Sequence, residues 1–236
     1  MKYDPFVHDR KTVFMQRLAD YVRMGYRHYA YGEVPVERAA PLAVKFSRLY
    51  AVHLSRNQNA RLRRDGQAAA RMLLWQGQEN WVVFFLLLTP GQHAAYQLEE
   101  MRQVSDRSTR LTLGDYELVQ RQRSGTKVPS WTWRLTPDAY EGWRCRILEV
   151  CRGGNDYVVQ QCIDGMLCMP GFSGIREQVK KLKWLFVAEW KRRRPDAAKN
   201  PMTGARQRYV QRLANSGHRL SQLVKISADI KADSRG

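Results

Sequence analysis

Along residues 172–194, FSGIREQVKKLKWLFVAEWKRRR, the cations Arg176, Lys180, Lys183, Lys191 and Arg194 recur at intervals that a helix gathers onto one face. Cations three or four residues apart on a helix sit about 5–6 Å from one another. Such a row matches a chain of phosphates, whose neutralisation is the main source of affinity for nucleic acid. Ile175, Val179, Leu182 and Phe186, with Leu185 beside them, form a separate apolar face. Trp184 falls near the basic row and off the apolar arc, so the core does not claim it. The competing reading is a solvated helix face, since Lys and Arg in a last turn also oppose the helix dipole. The helix is predicted to open at Ser173, whose hydroxyl suits an N-cap, and to stop before Pro195, which has no N–H to continue it.

The rest of the chain strengthens the phosphate reading. Its 236 residues carry 40 Lys and Arg against 22 Asp and Glu, a formal charge of +18. A surplus of that size calls for an anion, either nucleic acid, an anionic membrane surface or an acidic protein. From residue 169 onward there are sixteen Lys and Arg but only five Asp and Glu. Further cations proposed to contact phosphate are Arg61, Arg63 and Arg64 in the polar run SRNQNARLRRDGQ, and Arg192 and Arg193 beside the helical row. Arg206, Arg208 and Arg212 form a second patch. The start, MKYDPFVHDRK, lacks an apolar signal core, and no run reaches the ~18–20 apolar residues of a membrane span. The expectation is therefore a cytoplasmic protein with no membrane partner.

The elements that would position these residues read as α+β. Residues 1–8 are expected to be loosely held. A helix is predicted over 9–24, closed by Gly25, and a Tyr-rich strand over 26–34. Pro35 opens a second helix to about 54, with Leu42, Phe46, Leu49, Tyr50 and His53 along one side. Residues 55–67 read as an exposed basic loop or helix end. Strands over 68–75 and 81–89 form a hairpin, and WVVFFLLL is so continuously apolar that it must be buried on both faces. A short helix over 94–101 follows. A second hairpin, 111–122 with 130–135, turns around Ser124-Gly125 and Pro129. Thr136-Pro137 starts a helix that Gly153-Gly154 ends, and 156–167 forms another. A last helix is expected over 202–215, with Tyr209, Val210 and Leu213 inward, and the final residues are mobile or docked by Leu220, Leu223 and Ile226. The predicted architecture is a mainly antiparallel sheet of about five strands flanked by helices. It divides into an α+β core at 1–168 and a basic helical region at 169–236 packed on it.

Residues for catalysis are sparse. The histidines His8, His28, His53, His93 and His218 show no metal-ligand spacing, and phosphate-binding glycine loops and nucleophile elbows are absent. Cys145, Cys151, Cys162 and Cys168 are spaced C-x5-C-x10-C-x5-C, unlike the close pairs of structural zinc sites, so neither metal nor cofactor is expected. His28, on its Tyr-rich strand, could act as a general base, and Tyr140 as a nucleophile, but packing roles suit both. The balance leans away from an enzyme.

An antiparallel sheet with flanking helices and a helical Tyr resembles the layout of rolling-circle replication initiators and relaxases. Those enzymes carry a His-hydrophobe-His metal motif, which His28-Tyr29-Ala30 and Trp81-Val82-Val83 both fail, so nicking activity is not carried over. The runs WTWRLTPDAYEGWR and PGFSGIREQVKKLKWLFVAEWKRRR resemble uncharacterised proteins of proteobacterial plasmids and integrative conjugative elements. That resemblance implies a mobile-element setting and no particular chemistry. The expected function is a non-catalytic nucleic-acid-binding protein, in replication, maintenance, transfer or defence of such an element. Single-stranded or structured nucleic acid is favoured because Trp184, Tyr29 and Tyr31 lie near cations. Two alternatives stand beside it. One is a subunit docking an acidic partner or a larger nucleoprotein complex, with Trp184 and Trp190 as anchors. The other is a degenerate initiator-like nuclease.

Overall fold

The computed structural model describes residues 3–78, 80–122, 125, 128–153, 155–194 and 200–233. In chain order come β1 (Phe6–His8), α1 (Lys11–Arg23), β2 (His28–Pro35), α2 (Val36–Tyr50), α3 (Arg56–Arg64), β3 (Ala70–Gln78) and β4 (Trp81–Leu88). Next are α4 (Ala95–Leu98), β5 (Arg102–Gln103), β6 (Thr112–Leu113), β7 (Tyr116–Arg121) and β8 (Ser130–Leu135). Then follow α5 (Pro137–Gly153), α6 (Asp156–Leu167), α7 (Ser173–Arg193), β9 (Gly217–Arg219) and α8 (Leu220–Asp233). Among the described residues this is an α+β fold of eight helices, a six-stranded mixed sheet and a separate three-stranded sheet. The chain forms two compact units, Met1–Leu111 with Arg212–Gly236, and Thr112–Gln211. The expected boundary at 168/169 falls inside the second unit, between α6 and α7.

The first unit holds the sheet β5-β2-β4-β3-β1-β9, antiparallel except where β1 runs parallel to β3. Strand β4 pairs along its length with β2 on one side and β3 on the other. Its alternate residues Val82, Leu86 and Leu88 enter a core shared with Val36, Ala39, Ala43 and Phe46 of α2 and with Leu220 and Leu223 of α8. Phe85 points the other way, 5.7 Å from the ring of Phe14 on α1 and stacked on Tyr29 at 6.0 Å. Helices therefore cover both faces of the sheet, which is why the strand is apolar at every position rather than every second one.

Several local expectations change. Residues 6–8 are not loose: Val7 pairs with Leu74 and with His218, so strand partners far along the chain hold this segment. Residues 56–64 form a helix, opened by a capping box in which Ser55 and Gln58 satisfy each other's backbone N–H groups at 3.3 and 2.8 Å. Leu49 on α2 is 48% exposed, because Ala39 and Ala43, not Leu49, face the sheet. At the C-terminal end, Leu220 and Leu223 dock as expected, whereas Ile226 is 41% exposed.

The second unit corrects the single-sheet expectation. Strands β6-β7-β8 form an antiparallel sheet of their own. Helix α5 starts as Thr136-Pro137 implied, with the Thr136 hydroxyl accepting the Ala139 N–H at 3.3 Å, and Asn155 caps α6 by accepting from Val158 N at 3.0 Å. Residues 205–216 form no helix. Gly204, at φ +77°, sits in the turn that breaks the expected pattern, and the chain beyond it runs without regular structure. Ser124, Gly154 and Pro195 lie outside the described residues.

One buried group in the first unit gives a pH dependence. His8 is packed between the rings of Phe6 and Phe14, at 5.1 and 5.9 Å, and its Nδ1 has no hydrogen-bond partner among the described residues. Burial, aided by the Arg17 charge and opposed by Asp9, pushes the imidazole down to about 4. Because the folded protein favours the neutral form, this stabilisation is complete above an unfolded value of 6.5 and drains away as pH falls toward 4. We expect His8 to account for a loss of about 2 kcal/mol in urea-unfolding free energy between pH 7 and 5. The variant His8→Phe should lack that component, and an identical pH slope in the variant would assign the acid sensitivity to other groups.

Candidate nucleic-acid interface

Helix α7 is seated by strand β8. Its N-cap position is Phe172, not Ser173, and no side chain of its own closes the first turn. The cap comes from the strand: Thr132 Oγ1 accepts the Gly174 N–H at 3.1 Å and bonds the Ser173 hydroxyl at 2.9 Å. One turn on, the Gln178 amide mimics a neighbouring strand, accepting from Leu135 N at 2.7 Å and donating to Leu135 O at 3.2 Å. That pairing covers the outer edge of β8, so the three-stranded sheet has no further strand there. The approach is so close that a Cβ on Gly174 would lie 2.5 Å from the Trp133 carbonyl. Ile175, Val179, Leu182 and Phe186 are buried, and α7 packs against α5 and β8. Trp190 is also buried at 7%, stacked on Phe186, and so cannot anchor a partner.

With the apolar face turned inward, the opposite flank of α7 borders a groove of ≈ 530 Å³. Arg176, Lys180, Lys183 and Trp184 line one side, and Met202, Arg206 and Gln207 the other. The second wall is the stretch after Asn200, an irregular strap held at several points. Met202 is buried, the Lys183 ammonium donates to the Ala205 carbonyl, and Gln207 Nε2 donates to Met169 O at 2.9 Å. Val210 N donates to Gly171 O at 3.3 Å, and a Cβ on Gly171 would lie 2.2 Å from the Arg208 carbonyl, so only glycine admits the strap this closely. Arg176 lies over the Tyr209 ring at 4.2 Å and Lys180 over the Trp184 ring at 4.9 Å.

Among the described residues no carboxylate lines the groove. The two acids of α7 are engaged elsewhere: Glu177 with Arg121 at 2.7 Å and Lys181 at 3.7 Å, and Glu189 with Arg192 and Arg193. Arg121, first among its partners, holds the Glu177 carboxyl below its ordinary value. The cations here are thus uncompensated from within the site.

The remaining cations proposed for binding scatter. Lys191 is exposed in the last turn, while Arg192 and Arg193 pair with Glu189 and Arg194 lies over the Trp190 ring at 4.5 Å. Arg208 is exposed on the strap. Arg212 belongs to the first unit, where it pairs with Asp20, while Arg206 and Arg208 belong to the second. Arg61, Arg63 and Arg64 also belong to the first unit, on α3, and Arg63 bonds the carbonyls of Asn59 and Met24 at 3.4 Å. Tyr29 is removed from the aromatic set: it is 1% exposed, with its hydroxyl on Thr109 O at 2.8 Å. Tyr31 stays exposed beneath Arg102, at 5.1 Å.

His28 is hydrogen-bonded to Tyr96. The Tyr96 hydroxyl donates to Thr89 O at 3.1 Å and lies 2.8 Å from His28 Nδ1. A tyrosine has one proton; with that proton on Thr89, His28 must donate from Nδ1 to the phenol oxygen. Burial lowers the His28 pKa and raises that of Tyr96, which favours the neutral form of each. Tyr140 is half-buried in the first turn of α5. Cys151 and Cys162 are buried, Cys151 pushed up to about 11 and Cys162 also raised, which keeps both as thiols; Cys145 and Cys168 are exposed. Among the described residues no group of three or more His, Cys, Asp or Glu is placed to hold a metal ion, and no helix is long and apolar enough to cross a membrane. Compared with known proteins, the chain matches no protein family, no curated protein and no solved structure.

Gln207, which lines the groove, and Tyr209, which lies against the lining residue Arg176, are not singled out by the sequence as binding residues. A helix over 202–215 would point Tyr209 inward, although it is 65% exposed. Pro201 and Gly204 carry the contrary signal. The seat of α7 yields a test. Thr132→Val removes the acceptor for a buried N–H while keeping the shape, and should cost about 1–3 kcal/mol in unfolding free energy. Thr132→Ser should restore most of it. An unchanged midpoint for Thr132→Val would mean that apolar burial alone seats the helix.

Proposed function

We propose that the protein binds nucleic acid, without catalysis, through the basic groove between α7 and the strap. The observation that carries this reading is the set Arg176, Lys180, Lys183 and Arg206 around one concavity, with no carboxylate in its lining among the described residues. A phosphate chain supplies the missing negative charge, and release of its counterions supplies affinity. The surplus of sixteen Lys and Arg over five Asp and Glu after residue 168 supports the same choice. On this reading the exposed cations Lys191 and Arg208 extend the contact, and those of α3 are a separate contribution from the first unit. A cytoplasmic, mobile-element setting is part of the proposal; the mobile-element part rests on the resemblance of residues 131–144 and 170–194, and the cytoplasmic part on the polar start of the sequence. An acidic protein partner is the rival, with Trp184 as its remaining exposed anchor on α7.

Lys183 is a poor test residue because its ammonium also holds the Ala205 carbonyl. Lys180→Glu with Arg206→Glu removes two exposed cations and leaves the strap's anchoring bonds in place. Binding to labelled oligonucleotides, followed by anisotropy across a salt series, should weaken for every sequence alike. The slope of log K against log salt should become shallower by roughly 0.7–0.9 for each phosphate that the variant no longer neutralises. Unfolding free energy should move by less than about 1 kcal/mol. An unchanged affinity and slope would sink the reading, and recovery of one acidic protein on the wild-type chain but not on the variant would put the rival in its place.

A further inference from the structure

We infer that the ligand of the α7 groove is a single-stranded polynucleotide with unstacked bases, one base lying on Trp184 and a neighbouring base on Tyr209. This rests on the reading of the groove as a nucleic-acid site and names the class of nucleic acid it takes.

The two rings are the groove's least explained features. Trp184 is 62% exposed and Tyr209 65%, although each already carries a cation over its ring. Neither stacks on another aromatic among the described residues, so neither ring is needed for packing of that kind. Exposed aromatic faces next to cations are the working parts of single-strand sites, because every base offers a π-face and every link offers a phosphate. A duplex presents phosphates alone to such a surface, since its base faces are hidden in the stack. It would use the cations and leave both rings idle.

Spacing separates the two ligands further. Trp184 and Tyr209 form no ring pair with each other among the described residues, each meeting its own cation instead, so they are two separate stations and not one stack. Stacked bases within one strand of B-form DNA rise only about 3.4 Å per nucleotide. Adjacent bases on Tyr209 and Trp184 must therefore part from each other, which a flexible strand does readily and a duplex does only by melting. The strap is anchored at Ala205, Gln207 and Val210, so the Tyr209 station is fixed before the ligand arrives.

The test uses the full chain with oligo(dT) and oligo(U) of about twelve nucleotides, within the usual site size for such grooves. A hairpin duplex of similar charge and inorganic polyphosphate serve as ring-blind controls. Wild-type protein should bind both single strands more tightly than either control. Trp184→Ala should weaken single-strand binding by about 5- to 150-fold and leave duplex and polyphosphate binding within about twofold. Tyr209→Ala should act in the same direction, and Trp184→Phe should recover most of the affinity because it restores a stacking face. Equal weakening on single strand and duplex, or none on either, would overturn the single-strand assignment while leaving nucleic-acid binding intact. Failure of wild-type protein to bind any of the nucleic acids would overturn the underlying reading as well.

Discussion

The open edge of strand β8 is the constraint on which the second unit depends. A strand edge left unpaired exposes backbone donors and acceptors, and here helix α7 satisfies them with side chains. Gln178 pairs with both backbone groups of Leu135, and Thr132 closes the helix's first turn. Two attachments one turn apart fix the rotation of the helix as well as its position. Each residue advances a helix by about 100°, so a slip of one would carry Lys180 into the buried place of Val179. Burial of Val179, Leu182 and Phe186 then stabilises that rotation, at about 1.5–3 kcal/mol for each large apolar side chain. The basic flank is exposed because the apolar flank and the strand edge have left it no other orientation.

Rich as the sequence is in cations, few of them are equivalent. Arg192 and Arg193 share Glu189, Arg194 lies over Trp190, and Arg212 pairs with Asp20. Lys183 and Arg176 contribute charge to the groove while also holding the strap that forms its far wall. That double role links shape and charge. Removing either cation alters the wall as well as the potential, whereas Lys180 and Arg206 contribute mainly potential. Counting Lys and Arg along residues 172–212 therefore overstates the number of independent phosphate-binding groups.

What was legible from the sequence was whatever neighbouring residues decide between themselves. The helix over 156–167, the Thr136-Pro137 start of α5, the buried face of α7 and the central place of β4 all follow from local periodicity, caps and an unbroken apolar run. The rest depends on distant partners. Residues 6–8 are too few to declare a strand, and they become one because Leu74 and His218 lie on either side of Val7. Two hairpins do not reveal whether they share a sheet; here a helix covers the β8 edge where another strand could have paired. Ser173 has the residue type and the place of a cap, but Thr132, 42 residues before Gly174, makes the bond. At the groove, Arg176, Lys180, Lys183, Trp184 and Arg206 are legible from charge and phase, while Tyr209, beside Arg176, is hidden by an expected helix that the turn at Gly204 breaks.

Net charge and groove geometry have different tasks in the proposed binding. A charge of +18 raises the local concentration of any polyanion and speeds encounter, without distinguishing one from another. Long-range attraction of this kind fades beyond about 8–10 Å at moderate salt. What persists there is short-range: a ring face that a base can cover, and cations that the Gln207 and Ala205 bonds keep in register. Trp184 and Tyr209 are uncharged, so their contribution should outlast the screening that weakens the lysines and arginines around them. Selectivity for an unstacked strand over a duplex should then sharpen as salt rises, since a duplex loses affinity with a slope of about 0.9 per phosphate contact against about 0.7 for a single strand, while stacking remains.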